Sequence, residues 1–300
     1  MSVRQNVVES TREFGSEPHR ATSNSYLHLS TDFDIQNQVA WGYMHAEPRP
    51  CFTETLLEEL MTWFDILRRQ IRDPAQTDPL YYVVASGIPG IYNLGGDLNL
   101  FHELIVARDR ERLHKYAKAC IEPLYANQIH LSMPGLKSIS LVQGDALGGG
   151  FECALSSNVV IAERGCKMGF PEILFNLFPG MGAYTLLSRR IGSKQAEKMI
   201  MSGNLYTSDT LYEMGVVDVL AEPKRGQEAV MDYIRKEKRA RNGILSFRRA
   251  VEAVDPVSYE ELMAVTEIWV DAALNIGQKD LRMMEVLVSR QRVKVASMPS

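Results

Sequence analysis

Two glycine-rich loops constrain the fold of this chain most. Each loop follows a short apolar run, at residues 80–85 and 138–142, and each precedes a helical pattern. Short uninterrupted apolar runs are typical of parallel strands that are buried on both faces. Repeated strand–loop–helix units predict an α/β layered core, in which ligand-binding loops gather at the carboxyl ends of the strands.

The pattern divides the chain into three regions. Residues 1–25 are polar and mixed in charge, which predicts a mobile N-terminal arm. Residues 26–220 predict the α/β core, and residues 221–300 predict a helical C-terminal subdomain. The core should begin with two strands within residues 26–46 and contain a third buried strand at 158–162. Helices are expected at about 53–72, 97–130, 149–156 and 257–290.

Composition and residue spacing argue against several classes of protein. The net charge of −4 gives no electrostatic reason to expect nucleic-acid binding. The sequence shows neither a signal peptide nor a run of ~20 apolar residues, so we expect a cytoplasmic location and no membrane span. The four cysteines form no CxxC pair and are expected to be reduced. The six histidines lack metal-ligand spacing, which argues against a metal site. All of them lie at or before His130, which argues against the residue order of a serine hydrolase.

The second glycine-rich loop contains Gly148, Gly149 and Gly150, followed by Phe151 and Glu152. Glycines let a backbone approach a ligand closely because no Cβ intervenes. The free amides at the start of the next helix can donate to a developing anion. A tight turn with close strand–helix packing explains the same residues equally well. A phosphate-binding P-loop is disfavoured, since no Gly-Lys-Ser/Thr follows.

The first glycine-rich loop ends in Leu94, Gly95, Gly96 and Asp97. By itself it predicts a turn that ends in a helix-capping aspartate. The two loops together are more informative, since each can supply one backbone N–H. Two convergent N–H groups form an oxyanion hole, which stabilises negative charge on a carbonyl oxygen.

Two glutamates accompany these loops. Glu152 lies in the first turn of its predicted helix, and Glu172 follows Gly169, Phe170 and Pro171. A single glutamate at a helix start is often only a partner of the helix dipole. As a pair beside two glycine loops, they predict a general acid and a general base, of which one must be protonated near neutral pH.

The stretch from residue 142 to residue 184 resembles the signature of the crotonase, or enoyl-CoA hydratase/isomerase, superfamily. The matching features are the glycine triplet with Glu152, the Pro-Glu pair twenty residues later, and the Pro-Gly-Xaa-Gly turn at residues 179–182. The first glycine loop is similar to the superfamily's xGxD loop. The resemblance implies a crotonase-like ββα spiral core. It also implies a homotrimer or dimer of trimers, assembled through the helical C-terminal subdomain.

Within the superfamily, three segments are similar to sequences of the diffusible-signal-factor synthases (the RpfF type). These segments are IYNLGGDLNLF, LFPGMGAY and TEIWVDAAL. These make cis-2-unsaturated fatty acids for quorum sensing. The resemblance implies an acyl-carrier-protein thioester as substrate, no separate cofactor, and a cognate sensor protein as a regulatory partner. The segment Pro48–Phe52 departs from the usual hydratase pattern, which puts standard CoA recognition in doubt.

The resemblance implies a mechanism with assigned residues. The N–H groups of Leu94 and Gly149 hold the thioester carbonyl, Glu172 removes the α-proton, and Glu152 protonates the departing hydroxyl group. Water activated by a glutamate then cleaves the thioester, which gives the enzyme both lyase and thioesterase activity. Further residues are expected to bind the substrate, namely Gly95, Gly148, Leu136, Met168, Gly169, Trp269 and Leu274. Tryptophan on a helical stripe is also typical of a core residue.

Three other functions remain open. A CoA-dependent hydratase or isomerase would use the same glutamates without hydrolysing the thioester. A non-catalytic crotonase-fold binding subunit would not need Glu152 or Glu172. A glycosidase also uses two carboxylates, but the oxyanion loops and the few nearby aromatic residues disfavour it.

Overall fold

In the computed structural model, the chain is described over residues 26–72 and 80–296. The N-terminal arm expected at residues 1–25 lies outside these ranges. Ten strands lie within them: β1 (Leu29–Asp34), β2 (Val39–Met44), β3 (Tyr81–Ser86), β4 (Gly90–Asn93), β5 (Lys137–Val142), β6 (Gly144–Leu147), β7 (Val159–Glu163), β8 (Lys167–Gly169), β9 (Leu205–Thr207) and β10 (Val219–Ala221).

The strands form two sheets. The larger sheet has the order β1-β2-β3-β5-β7-β10, and all its pairs are parallel except β1 with β2. The smaller sheet has the order β4-β6-β8-β9, in which only β9 is antiparallel to its neighbour. The expected strands at 80–85, 138–142 and 158–162 are β3, β5 and β7, and the expected first pair is β1 and β2.

The two glycine-rich loops are not wholly irregular, because each contains a short strand of the smaller sheet. β3 leads directly into β4, and β5 leads into β6, so each strand of the larger sheet is followed by one of the smaller sheet. β7 and β8 repeat the arrangement. The chain therefore has the ββα spiral core that the resemblance implies.

Helices cover the sheets and form the C-terminal region. Those of the described residues are α1 (Glu54–Arg72), α2 (Leu98–Val106), α3 (Arg110–Gln128), α4 (Gly149–Leu155), α5 (Ala183–Ile191), α6 (Ser193–Ser202), α7 (Ser208–Glu213), α8 (Gly226–Lys238), α9 (Arg241–Val254), α10 (Tyr259–Ala273) and α11 (Gln278–Ala296). Short 3-10 helices lie at His130–Ser132 and Glu172–Phe175. Within residues 26–72 and 80–296, no helix is long and apolar enough to cross a bilayer.

Two long helices expected from the sequence are each broken in the structure. The region 97–130 contains α2 and α3, because Arg108 adopts a left-handed conformation (φ 53°) and Asp109 caps the next helix. The region 257–290 contains α10 and α11, which meet at a tight turn ending in Gly277. In each place the apolar periodicity continues across a local turn, so periodicity alone did not reveal the break.

The larger sheet is buried on both faces. On one face, Tyr81 and Val83 pack with Val230 and Ile234 of α8. On the other, alternate strand residues such as Tyr82 join the main core with α1 and α3. Burial on both faces explains why the parallel strands read as continuous apolar runs. Within the predicted C-terminal region, α8 packs on the larger sheet, whereas α10 packs on α3.

Candidate active site

The two glycine-rich loops meet at the carboxyl ends of β4 and β6. A Cβ built on Gly150 would lie 2.1 Å from the carbonyl oxygen of Asn93, and one on Gly95 would lie 3.0 Å from the nitrogen of Gly149. Only glycine permits backbones to approach this closely. The two loops therefore form one backbone platform, and neither glycine can be replaced without moving the other loop.

Two backbone N–H groups on this platform have no hydrogen-bond partner in the described part of the chain. Gly149 is the first residue of α4, where an amide has no partner within the helix. The Gly96 amide is likewise free, since the hydrogen bonds on either side of it involve Gly95 and Asp97. A Cβ on Gly149 would lie 3.4 Å from the Gly96 nitrogen, so the two amides are neighbours.

The donor predicted at Leu94 is corrected by this geometry. The Leu94 N–H donates to the carbonyl oxygen of Pro50 over 2.8 Å, so it is not available to a ligand. Gly96, two residues later, supplies the free amide in its place. Asp97 caps α2 by accepting from Asn99 and Leu100, so the loop is also the capped turn that the sequence allowed.

Glu152 is held at the wall of the site by two backbone amides. It is 1% exposed, and its Oε1 accepts from the N–H groups of Met181 and Ala183, each over 2.8 Å. These two bonds occupy one carboxyl oxygen and leave Oε2 to carry a proton. Burial, together with the negative charge of Glu172, holds the pKa of Glu152 well above its usual range despite the two amides, which lower it.

Glu172 begins the 3-10 helix and lies against the second glycine loop. A Cβ on Gly148 would be 2.2 Å from its Oε1, so the glycine leaves room for the carboxyl group. The residue is half-buried as a whole, but its Oε2 is buried without a hydrogen-bond partner. Burial raises the pKa of Glu172 from 4.5 to about 8. Each carboxyl group is therefore favoured in its protonated form, and an ionised Glu172 favours the protonated form of Glu152 further.

The raised pKa of Glu172 makes protein stability depend on pH. Folding favours its protonated form, so this stabilisation is complete below 4.5 and is lost as the pH rises through about 8. Glutamine stays neutral throughout. Wild type should therefore lose this stabilisation as the pH rises from 4.5 to above 8, whereas the Glu172→Gln variant should not. The melting temperature of the variant minus that of wild type should increase over this range. Thermal melts across this range test it, and a difference that does not change with pH would contradict the assignment.

Both glutamates face one cavity of about 340 Å³, a volume suited to a small ligand. Its polar lining comes from the two carboxyl groups, Thr266 and backbone groups, whereas most other lining side chains are apolar. The apolar side chains come from α2, α3, the second 3-10 helix and the C-terminal helices, and include Leu98, Phe101, Ala117, Cys120, Leu174, Phe175, Trp269 and Leu287. The cavity can therefore hold a hydrocarbon chain next to a polar reacting centre.

The structure places most of the predicted site residues around this cavity. Its lining includes Leu94, Gly95, Gly148, Gly149, Glu152, Glu172 and Trp269. Trp269 is also a core residue, since it is 7% exposed and its ring centroid lies 4.8 Å from that of Phe101.

Four residues predicted to bind the substrate do not line the cavity. Leu136 precedes β5, at the amino end of the sheet, and is buried in the main core. Met168 is fully buried within β8, and the carbonyl oxygen of Gly169 accepts the N–H of Gly148. Leu274 ends α10 and packs with the C-terminal helices. Each is apolar or small, but the structure places its contacts outside the cavity lining.

Sequence reasoning missed Gly96 and Met181 among others. Met181 is the variable residue of the Pro-Gly-Xaa-Gly turn, and a Cβ on Gly149 would lie 2.8 Å from its Sδ. The signal for Gly96 was its position immediately before the helix cap Asp97, at the point where the loop backbone must turn into α2. The signal for Met181 was its place between two glycines, of which Gly182 adopts a left-handed conformation (φ 103°).

Comparison with known proteins identifies the family. Residues 35–283, most of the chain, match the family described as Enoyl-CoA hydratase/isomerase. The chain belongs to this family. Its candidate site comprises the buried Glu152, the half-buried Glu172, two free amides and a mainly apolar cavity.

Individual relatives agree with this placement. Enoyl-CoA isomerase/hydratase fer4 of Mycosarcoma maydis is 29% identical over 203 residues, which are 67% of this chain and 71% of that protein. The fatty acid oxidation complex subunit alpha of Pseudomonas savastanoi pv. phaseolicola is 31% identical over 156 residues, which are 51% of this chain. The chain spans only 14% and 21% of the length of two such alpha subunits.

A solved structure shows the same fold. The putative enoyl-CoA hydratase from Streptomyces avermitilis superposes with a TM-score of 0.71 at 16% sequence identity. The superposition covers 93% of this chain and all of that chain. The likeness therefore extends over the core and into the C-terminal helices.

Proposed function

We propose that this family member adds water to, and removes water from, the C2–C3 bond of a fatty acyl thioester. The observation that carries the proposal is the glutamate pair beside the free amides of Gly96 and Gly149. In dehydration, Glu172 removes the α-proton while the two amides stabilise the enolate oxygen. Glu152 then gives its proton to the 3-hydroxyl group, which leaves as water, and the C2–C3 double bond forms.

The glutamate pair favours this reaction over double-bond isomerisation. Moving a double bond along the chain transfers a single proton, for which one acid–base group is enough. Adding or removing water requires a proton at carbon and another at oxygen, so two groups are needed. Glu152 and Glu172 line the same cavity, so each can serve one of the two protons.

We propose a CoA thioester as the substrate carrier and no further cofactor. The similar protein fer4 has enoyl-CoA in its name, which supports CoA as the carrier. Within residues 26–72 and 80–296, no group of three histidine, cysteine, aspartate or glutamate side chains is placed to hold a metal ion. The two backbone amides supply the electrophilic assistance that the proposed reaction needs.

A second candidate is synthesis of a diffusible signal factor. In that reaction a 3-hydroxyacyl-acyl-carrier-protein is dehydrated to the cis-2-enoyl thioester and then hydrolysed to the free acid. It is favoured by the resemblance of IYNLGGDLNLF and LFPGMGAY to such synthases. The same resemblance supports a cognate sensor protein as a further proposal. The superfamily resemblance supports a homotrimer or dimer of trimers, and the sequence pattern supports a cytoplasmic location.

Paired incubations separate the two candidates. The same 3-hydroxyacyl chain is offered on CoA and on acyl-carrier protein, and the products are identified by mass spectrometry. We expect reversible formation of 2-enoyl-CoA with the thioester intact. Free cis-2-enoic acid released from acyl-carrier protein alone would instead establish the synthase. An intact substrate on both carriers, across several chain lengths, would contradict the proposed function.

A further inference from the structure

The segment Pro48–Phe52, which departs from the usual hydratase pattern, lies beside the loop that carries the Gly96 amide. The Leu94 N–H donates to the Pro50 carbonyl oxygen, and the Phe52 N–H donates to the Gly95 carbonyl oxygen, each over 2.8 Å. Phe52 and Gly96 form an isolated parallel bridge. The segment therefore fixes the loop on the side that leads into Gly96.

Arg49 holds the other side of Gly96 through Asp97. Arg49 is 6% exposed, and its Nη2 forms an ion pair with Oδ1 of Asp97, the residue directly after Gly96. The same Oδ1 accepts the N–H groups of Asn99 and Leu100 at the start of α2. One carboxylate oxygen thus joins the guanidinium group, the first turn of α2 and the oxyanion loop.

Tyr116 of α3 fixes the Asp97 backbone from a third direction. The Asp97 N–H donates to the Tyr116 hydroxyl oxygen over 2.9 Å, and that hydroxyl donates to the Phe52 carbonyl oxygen. The backbone groups on both sides of Gly96 are therefore committed, while its own N–H stays free. The Nη1 of Arg49 is buried without a partner. Keeping a buried, incompletely bonded cation beside the site is costly for stability, which argues for a functional reason.

We propose that Arg49 is a positioning residue, whose ion pair with Asp97 holds the Gly96 amide where it polarises the thioester carbonyl. This inference rests on the proposed function, because it assigns the Gly96 amide to the oxyanion. The buried guanidinium group contacts one Asp97 oxygen through Nη2, so it restrains the carboxylate that caps α2. The hydrogen bond from Gly96 strengthens as the enolate forms, so Arg49 acts mainly on the transition state.

Two substitutions test the role from opposite ends of the ion pair. Arg49→Met removes the cation. Asp97→Asn removes the anion but keeps an oxygen for the Asn99 and Leu100 amides, and asparagine caps helices as well as aspartate does. Each should lower kcat by about tenfold to hundredfold, the cost of a misplaced catalytic group. KM should stay within about twofold, and the double variant should be no slower than the worse single variant.

Arg190→Met is the matched control. Arg190 of α5 pairs with Asp218 and bonds the carbonyl oxygens of Ser157 and Val216, none of which lines the cavity. Its loss should lower the melting temperature without changing kcat. The positioning role is wrong if Arg49→Met keeps kcat within about twofold of wild type, if Arg190→Met loses as much kcat, or if the effects of Arg49→Met and Asp97→Asn multiply.

A spectroscopic readout separates this inference from the proposed function. Butyryl-CoA with a ¹³C carbonyl has no double bond to hydrate, and its bound carbonyl stretch reports hydrogen bonding directly. Wild type should shift the stretch to lower frequency, and Arg49→Met should reduce the shift. If the wild-type protein shifts the stretch and Arg49→Met reduces that shift, but the wild-type protein hydrates no enoyl thioester, the proposed function is refuted and the positioning role is retained. An equal shift in both proteins would refute the positioning role.

Discussion

Replacing Glu172 by glutamine should lower the rate of water addition to a 2-enoyl thioester by about 10²–10⁴, the usual contribution of a general acid or base. Glutamine has the same shape but cannot take up the proton that Glu172 exchanges with substrate or water. Glu152→Gln should have a comparable effect, since it cannot supply the second proton. Its side-chain oxygen can still accept the Met181 and Ala183 amides, so the fold should survive. Steady-state rates and circular dichroism test both points.

Glu163→Gln is the matched control for a buried glutamate. Glu163 is 7% exposed and accepts the N–H groups of Lys224 and Gly226 at the start of α8, away from the cavity. Its replacement should reduce stability and leave kcat unchanged. Wild-type rates in Glu152→Gln or Glu172→Gln would exclude the acid–base assignment and favour a binding subunit. A rate loss in Glu163→Gln as large as in the other two would show that the effect is structural.

Replacing Gly149 by proline should remove one oxyanion donor with little change to the helix that follows. Gly149 is the first residue of α4, a position where proline is favoured because its missing N–H has no helical partner. The added Cβ meets the Sδ of Met181, part of a flexible side chain, at 2.8 Å. Loss of the donor should reduce kcat by roughly 10²–10³.

Gly149→Ala separates the lost donor from the effect of the added Cβ. Alanine adds the same Cβ beside Met181 but keeps the N–H. Both proteins should fold, and kcat of the proline variant should be lower than kcat of the alanine variant by most of the expected factor of roughly 10²–10³. Equal rates in the two variants would mean that the Gly149 amide does not contact the oxyanion. The comparison needs only kcat and a melting curve for each protein.

The layered core could be predicted from the sequence because its signals are local. Short apolar runs gave β3, β5 and β7, and their burial on both faces is what makes such runs continuous. β4 and β6 could not be found in this way. Each has four residues, begins with glycine, and lies inside a segment whose composition is typical of a loop.

The candidate site was predicted most completely where one loop contained the whole signal. The glycine triplet and Glu152 lie within five residues, and the structure places them together. The choice between Leu94 and Gly96 depended on which amide the distant Pro50 carbonyl occupies, and one sequence does not reveal such a long-range contact. The cavity wall was harder still, because α2, α3, α10 and α11 all contribute to it.

Exchange at the α-carbon tests the central claim most directly, since the account assigns that proton to Glu172. A 2-enoyl-CoA incubated with the wild-type protein in D₂O should yield 3-hydroxyacyl-CoA with deuterium at C2, detected by mass spectrometry. Glu172→Gln should yield almost none, whereas Glu163→Gln should match wild type. Deuterated product formed by Glu172→Gln at the wild-type rate, or no product from wild type, would contradict the account.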